Sequence, residues 1–116
     1  MPCFRTKESQ EKYNAFRARR ALDAGCILCA KDSIQSFTHW KIVVNEFPYD
    51  GISKKHDMIV SKRHTDESGL SESEKQELFE LKKAYINDHY EDIIESTIHQ
   101  KTIPEHFHLH LIVEAD

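Results

Sequence analysis

Glycine and proline are scarce, three of each in 116 residues, which excludes collagen-like and low-complexity disordered chains. No apolar run nears the ~18 residues that a membrane span requires. The longest, around Ile42–Val44, covers only a few positions. The amino terminus, MPCFRTKESQ, lacks the apolar core of a signal peptide, so a cytoplasmic location is expected. Basic charge is not in excess either. A net charge of −4 argues against duplex nucleic acid as a partner and leaves a small nucleotide ligand open, and with no apolar run of spanning length no membrane partner is expected. Three cysteines make an odd count, at variance with the even disulfide framework of small secreted domains. What is present is an ordinary globular composition, 39% hydrophobic and 31% charged, enough for one small domain, together with eight histidines.

Glu8 to Ala24 carries Tyr13, Phe16, Ala21 and Ala24 among charged residues and is followed by Gly25, which predicts an amphipathic helix with Arg17, Arg19 and Arg20 on its solvated side. Thr38–Phe47 is rich in β-branched and aromatic residues and reads as a strand, with turn chemistry at Pro48-Tyr49-Asp50-Gly51. His56–Lys62 alternates so that His56, Met58 and Val60 share one face, the pattern of an antiparallel neighbour. Ser71-x-x-Glu74 is a capping box opening a helix to about Tyr90, with Leu78, Leu81 and Tyr85 in one stripe. Glu91–Thr97 fits either a continuation of that helix or a strand. Pro104 blocks further helix, and Glu105–Glu114 alternates strictly, as a strand does. These elements predict an α+β fold, one antiparallel sheet with helices packed on it.

Two patterns carry chemistry. Cys26-Ile27-Leu28-Cys29 is half a zinc site or a redox pair, and the helix expected upstream differs from the strand-then-helix setting that a thioredoxin-like pair uses. Cys3, near the end of the chain, reads as a spectator. His106, His108 and His110 occupy every second position of the last strand, so three imidazoles share one face while Phe107, Leu109, Leu111 and Val113 form the other. Imidazoles ~7 Å apart along a strand repel when all are charged, so some are neutral at pH 7. Neutral imidazole binds metal or attacks an electrophile. The spacing alone leaves both open: a metal site built on the row, or nucleophilic attack at phosphorus with neighbouring histidines on the phosphoryl oxygens.

The run His-Phe-His-Leu-His-Leu-Ile resembles the H-φ-H-φ-H-φ-φ signature of the histidine-triad superfamily of nucleotide hydrolases and transferases. Cys26–Cys29, the words Asn45-Glu46-Phe47-Pro48-Tyr49 and His56-Asp57-Met58-Ile59-Val60-Ser61-Lys62-Arg63-His64, and a long helix precede it in the order this superfamily uses. N-x-[FY]-P-Y and I-P-[DE]-H-φ-H-L-H resemble most the branch that cleaves diadenosine polyphosphates. The resemblance spans roughly residues 26–113 and implies a histidine-triad domain over residues 26–116 with a helical extension over 1–25. It implies a structural zinc on Cys26, Cys29, His64 and His106, and His108 as the nucleophile forming a nucleotidyl-histidine. It also implies His110 and His56 as groups that contact phosphate oxygens or tune His108. Asn45 sits where the family places a polar group on the ribose, and Phe47 is expected to line the base pocket. The implied partner is a nucleotide or dinucleoside polyphosphate, and a homodimer through the sheet edge is compatible with it.

The chain departs from the family where phosphate is held. Ser96 to Thr102 contains neither the usual asparagine nor glycine, so Gln100, Lys101 and Thr102 are expected to contact substrate by side chains in place of backbone N–H groups, with His99 nearby. Lys55 stands where glycine is usual, Ser61 where proline is usual, and Val113-Glu114-Ala115-Asp116 replaces the family's P-R-[WY] continuation. Two further readings follow: a nucleotide-binding module that has lost turnover, and an open catalytic metal site on His106, His108 and His110. His39 and His89 match no motif and are expected at the surface.

Overall fold

A computed structural model describes residues 4–20, 26–97 and 103–116. The elements run α1 (Lys7–Arg20), α2 (Ile27–Ala30), β1 (Gln35–Ser36), β2 (Trp40–Val44), β3 (Ser53–Ser61), α3 (Glu72–Leu81), a π-helical turn over Lys82–Ile86, α4 (Asn87–His89), β4 (Asp92–Ile94) and β5 (His108–Glu114). The strands form one five-stranded antiparallel sheet in the order β1-β2-β3-β5-β4. The expected α+β architecture is therefore the one observed.

Alternation along β3 and β5 divides the core into two layers. Trp40, Ile42, Ile59, Phe107, Leu109 and Leu111 point to one face, where Leu70, Leu78, Ile86 and Tyr90 cover them. Each such side chain removed from water contributes about 1.5–3 kcal/mol, which makes this layer the main source of stability. α3 starts where the capping box places it: the Glu74 backbone N–H donates to Ser71 Oγ at 3.1 Å and the Ser71 N–H to Glu74 Oε1 at 2.8 Å. The Glu74 carboxylate also takes the Arg63 guanidinium at 2.7 Å, and chiefly for that reason its pKa is lowered to about 2. Trp40 Nε1–H donates to the Glu74 carbonyl at 2.9 Å and so locks the helix start to the sheet.

The opposite face carries Val43, Met58 and Val60, covered by Leu28 of α2 and flanked by Cys26, Ile27 and Ile103. His56, Met58 and Val60 share this face, as expected, and the register sets Met58 against His110 and Val60 against His108.

The elements differ from expectation mainly at their ends. β2 stops at Val44 because the Asn45 Oδ1 accepts the Phe47 N–H at 2.8 Å and turns the chain. β5 begins at His108 rather than Glu105, since the Phe107 N–H is taken by the Thr65 carbonyl at 2.7 Å. The ambiguous stretch after the long helix supplies the edge strand β4, and the two-residue β1 has no clear signal in the sequence. The expected helix end at Ala21, Ala24 and Gly25 lies outside the described residues, as does Cys3. Among the described residues, no helix is long and apolar enough to cross a membrane.

Candidate functional site

Four side chains converge at one end of the histidine-bearing face. The ligand atoms of Cys26, Cys29, His64 and His106 all lie within 4.8 Å of one another. Cys26 Sγ is 3.3 Å and Cys29 Sγ 3.4 Å from His106 Nδ1, and Cys29 Sγ is 3.2 Å from His64 Nδ1. Metal bonds of 2.0–2.3 Å in a tetrahedron put neighbouring ligands about 3.6 Å apart, so the cluster has the size of a metal site. The backbone builds it from three segments. Cys26 precedes and Cys29 lies within the single turn of α2, whose trailing carbonyls at Cys29 and Lys31 accept from Lys41 Nζ at 3.5 and 2.8 Å. His64 follows β3, and His106 immediately precedes β5.

His106 is fully buried and its Nε2–H donates to the Ser61 carbonyl at 2.6 Å. That bond places the lone pair on Nδ1, the atom facing the thiols, as when a metal-ligating histidine is oriented by a backbone carbonyl on its other nitrogen. Burial lowers the His106 pKa, which favours the neutral form that ligates. Desolvation, then the adjacent Cys26 thiol, raises the Cys29 thiol, so metal binding would displace a proton there. Donor chemistry, size and outer-shell bond all fit a metal ion. His108 and His110 do not join this cluster; the row divides, with its first member turned to the cysteines.

The other two histidines form a second constellation with β3. His108 Nδ1 lies 2.9 Å from the His106 carbonyl, which can only accept; the ring therefore donates from Nδ1, and in its neutral form the lone pair lies on Nε2. The Tyr49 backbone N–H donates to His56 Nδ1 at 2.9 Å, His56 Nε2 is 2.8 Å from His110 Nδ1, and the Tyr49 hydroxyl is 3.4 Å from His110 Nε2. Burial, reinforced by the charge of Arg5, pushes the His56 pKa down to about 4, so this ring is neutral at physiological pH. The rings of His108 and His110 are 5.3 Å apart. The result is a buried row of imidazoles in which backbone groups orient His56 and His108, and His56 in turn orients His110.

Asn45 lies beside this row, its Nδ2 3.3 Å from His56 Nε2 while its Oδ1 holds the loop at Phe47. Phe47 packs against Phe16 (4.7 Å between centroids) and Tyr13 (5.6 Å) of α1. An open cavity of about 410 Å³ lies between α2 and the end of β2, lined by Ile27, Ala30, Lys31, Asp32, Val44 and Glu46; Asn45 does not line it. The Lys31–Glu46 ion pair at 2.9 Å spans it. Gln100, Lys101, Thr102 and His99 lie outside the described residues. His89 is exposed and bonds its own helix at the Tyr85 carbonyl, and His39 is half-buried; neither joins the constellation.

Sequence reasoning missed three participants. Tyr49 touches both His56 and His110, Arg5 reaches the same loop from the amino-terminal segment, and Lys31 closes the cavity. Only Tyr49 lies within a recognised motif; Arg5 acts across a separation in sequence that no local pattern encodes. No family profile and no curated protein sequence matches the chain.

Proposed function

We propose that the chain is a zinc-containing histidine-triad enzyme that cleaves a nucleotide phosphoanhydride or phosphoramidate through a nucleotidyl-histidine intermediate. The observation that carries this reading is the His108 ring: its Nδ1–H on the His106 carbonyl directs a nucleophilic Nε2 lone pair, next to the hydrogen-bonded pair His56–His110. In its neutral form, an imidazole aimed by a backbone acceptor is the nucleophile that covalent catalysis at phosphorus requires.

Cys26, Cys29, His64 and His106 would hold the zinc, a two-thiolate, two-imidazole set with no open position, whose role is to tie α2 to the segment entering β5. The reacting groups are the chain's own. His108 Nε2 attacks the α-phosphorus; a P–N bond forms, and the bond to the leaving group breaks with its electron pair. His110, kept in one tautomer by His56, donates its Nε2–H to a phosphoryl oxygen. Asn45 receives the nucleoside ribose. Water, or an acceptor such as phosphate, then takes the nucleotidyl group and restores His108.

The test is trapping with labelled diadenosine polyphosphate and adenosine 5′-phosphoramidate. Acid-labile label on the wild type and none on His108→Asn supports the reading; a wild type that neither labels nor hydrolyses any nucleotide offered overturns it. The glycine-free stretch Ser96–Thr102 favours a second reading, a binding module without turnover, which calorimetric nucleotide affinity in the absence of label would select.

A further inference from the structure

We propose that Arg5, carried in by the amino-terminal segment, contacts substrate: its guanidinium binds a phosphate of the leaving group beside the His56–His110 pair. This inference rests on the nucleotide-cleaving reading given above.

The segment is held in a defined place. Asp50 accepts from the Thr6 N–H at 2.9 Å, from the Thr6 hydroxyl at 3.3 Å and from the Ser9 hydroxyl, while the Gly51 N–H donates to the Phe4 carbonyl at 2.7 Å. Phe4 packs on Tyr49 at 5.2 Å. Between these anchors Arg5 is half-buried, its Nε–H on the Phe47 carbonyl at 2.8 Å and its guanidinium carbon 4.0 Å from the Tyr13 ring and 4.7 Å from the Tyr49 ring. The same Tyr49 ring lies 4.4 Å from His56 and 5.0 Å from His110. A single aromatic ring is therefore in contact with both the cation and the histidine pair.

No carboxylate among the described residues contacts this cation directly; Asp50 acts on it only through its field. Among the described residues no carboxylate forms an ion pair with Arg5, and the nearby Asp50 is engaged by Thr6 and Ser9. Half-burying a guanidinium against two tyrosines costs solvation, and an anion recovers it. With Nε committed to Phe47, the terminal nitrogens keep the planar fork that matches two phosphate oxygens. Its field extends to the site, since the Arg5 charge is one of the causes that hold His56 neutral.

The chemistry gives the fork its target. Attack by His108 forms a P–N bond at the α-phosphorus and breaks the P–O bond to the next phosphate, whose oxygen keeps the electron pair. A fixed cation on the departing side stabilises that charge. The sequence offers no glycine-rich loop for this purpose, and Arg5 supplies from a distant part of the chain what backbone N–H groups supply elsewhere.

The test compares Arg5→Gln and Arg5→Lys with the wild type on two substrates: diadenosine tetraphosphate, whose leaving group carries phosphate, and adenosine 5′-phosphoramidate, whose leaving group does not. Arg5→Gln is expected to lower kcat/KM on the tetraphosphate at least tenfold more than on the phosphoramidate, with part of that difference restored in Arg5→Lys. Equal losses on both substrates, or no loss, overturn the proposal. If the wild type turns over neither substrate, the nucleotide-cleaving reading fails by itself, and calorimetry with inorganic tripolyphosphate decides the site. Binding weakened tenfold or more in Arg5→Gln supports it; equal binding, or none by the wild type, overturns it.

Discussion

His56 and His110 share a 2.8 Å hydrogen bond between neighbouring strands, and a backbone amide sets its direction. Because the Tyr49 N–H occupies His56 Nδ1, the proton of neutral His56 sits on Nε2 and is donated to His110 Nδ1, which leaves the His110 proton on Nε2. Protonating His56, which is only 4% exposed, would destroy the acceptor that Tyr49 needs.

The pH dependence of stability follows from that pair. His56 ordinarily titrates near 6.5 and in the folded chain near 4. Between those values the unfolded chain binds more protons, so this contribution is fully present above pH 6.5 and declines as pH falls towards 4. Its full size is about 3 kcal/mol. Urea unfolding at pH 7.5 and 4.5 is expected to show a loss in the wild type that exceeds the loss in His56→Asn by about 2 kcal/mol. Parallel losses in the two proteins would refute a neutral buried His56.

Metal content separates the two halves of the histidine row. The purified chain is expected to hold one equivalent of a divalent metal. Cys26→Ala should lower the metal content several-fold and the unfolding midpoint by roughly 10 °C, because metal binding free energy is folding free energy. His108→Ala should retain the metal, since His108 faces the His106 carbonyl and not the thiols. Loss of metal in His108→Ala would return the row to an open metal site.

The sheet and the grouping of the histidines were legible because their signals are local. A period of two places His56, Met58 and Val60 on one side of β3, and the same period divides β5 into imidazoles and core. The capping box marks the start of α3 to the residue. The division of the triad was not legible from spacing alone: His106 lies just outside the ladder because Thr65 captures the Phe107 N–H, an event in three dimensions. Only the resemblance of motifs assigned His106 to the cysteines. The π-helical turn over Lys82–Ile86 has no composition signal that sets it apart from the helix around it, and the docking of Phe4–Ser9 on Asp50 was hidden because it depends on contacts between residues far apart in the chain.

Beneath the sheet, Tyr90 and Asp57 form a buried pair that no reaction requires. The Tyr90 hydroxyl donates to Asp57 Oδ2 at 2.6 Å, and Lys55 Nζ, half-exposed, is 3.7 Å from the same oxygen. Burial, then the hydrogen bond and charge of Asp57, raises the Tyr90 pKa far above its ordinary value. Tyr90→Phe leaves a carboxylate that is 2% exposed without its donor and is expected to cost about 2–3 kcal/mol. The matched pair Tyr90→Phe with Asp57→Leu should cost less than the two single changes added together. Denaturant unfolding of the four proteins checks this; strict additivity would show that the contact contributes nothing.

Asp50 is the one side chain that collects the Thr6 N–H and hydroxyl and the Ser9 hydroxyl, and so it latches the amino-terminal segment. Its pKa is lowered, first by Ser9 and then by the Thr6 backbone, so the latch is closed at neutral pH and weakens as the carboxylate is protonated in acid. Asp50→Ala removes all three acceptor contacts while the buried core, built from β2, β3, β5 and α3, keeps its contacts. Limited proteolysis of Asp50→Ala is expected to cut within residues 4–20 at least tenfold faster than in the wild type, with the thermal midpoint changed by only a few degrees. Tyr13 and Phe16 should become solvated together, since both rest on Phe47 in the docked arrangement. Unchanged cleavage would mean that the aromatic contacts hold α1 without the latch.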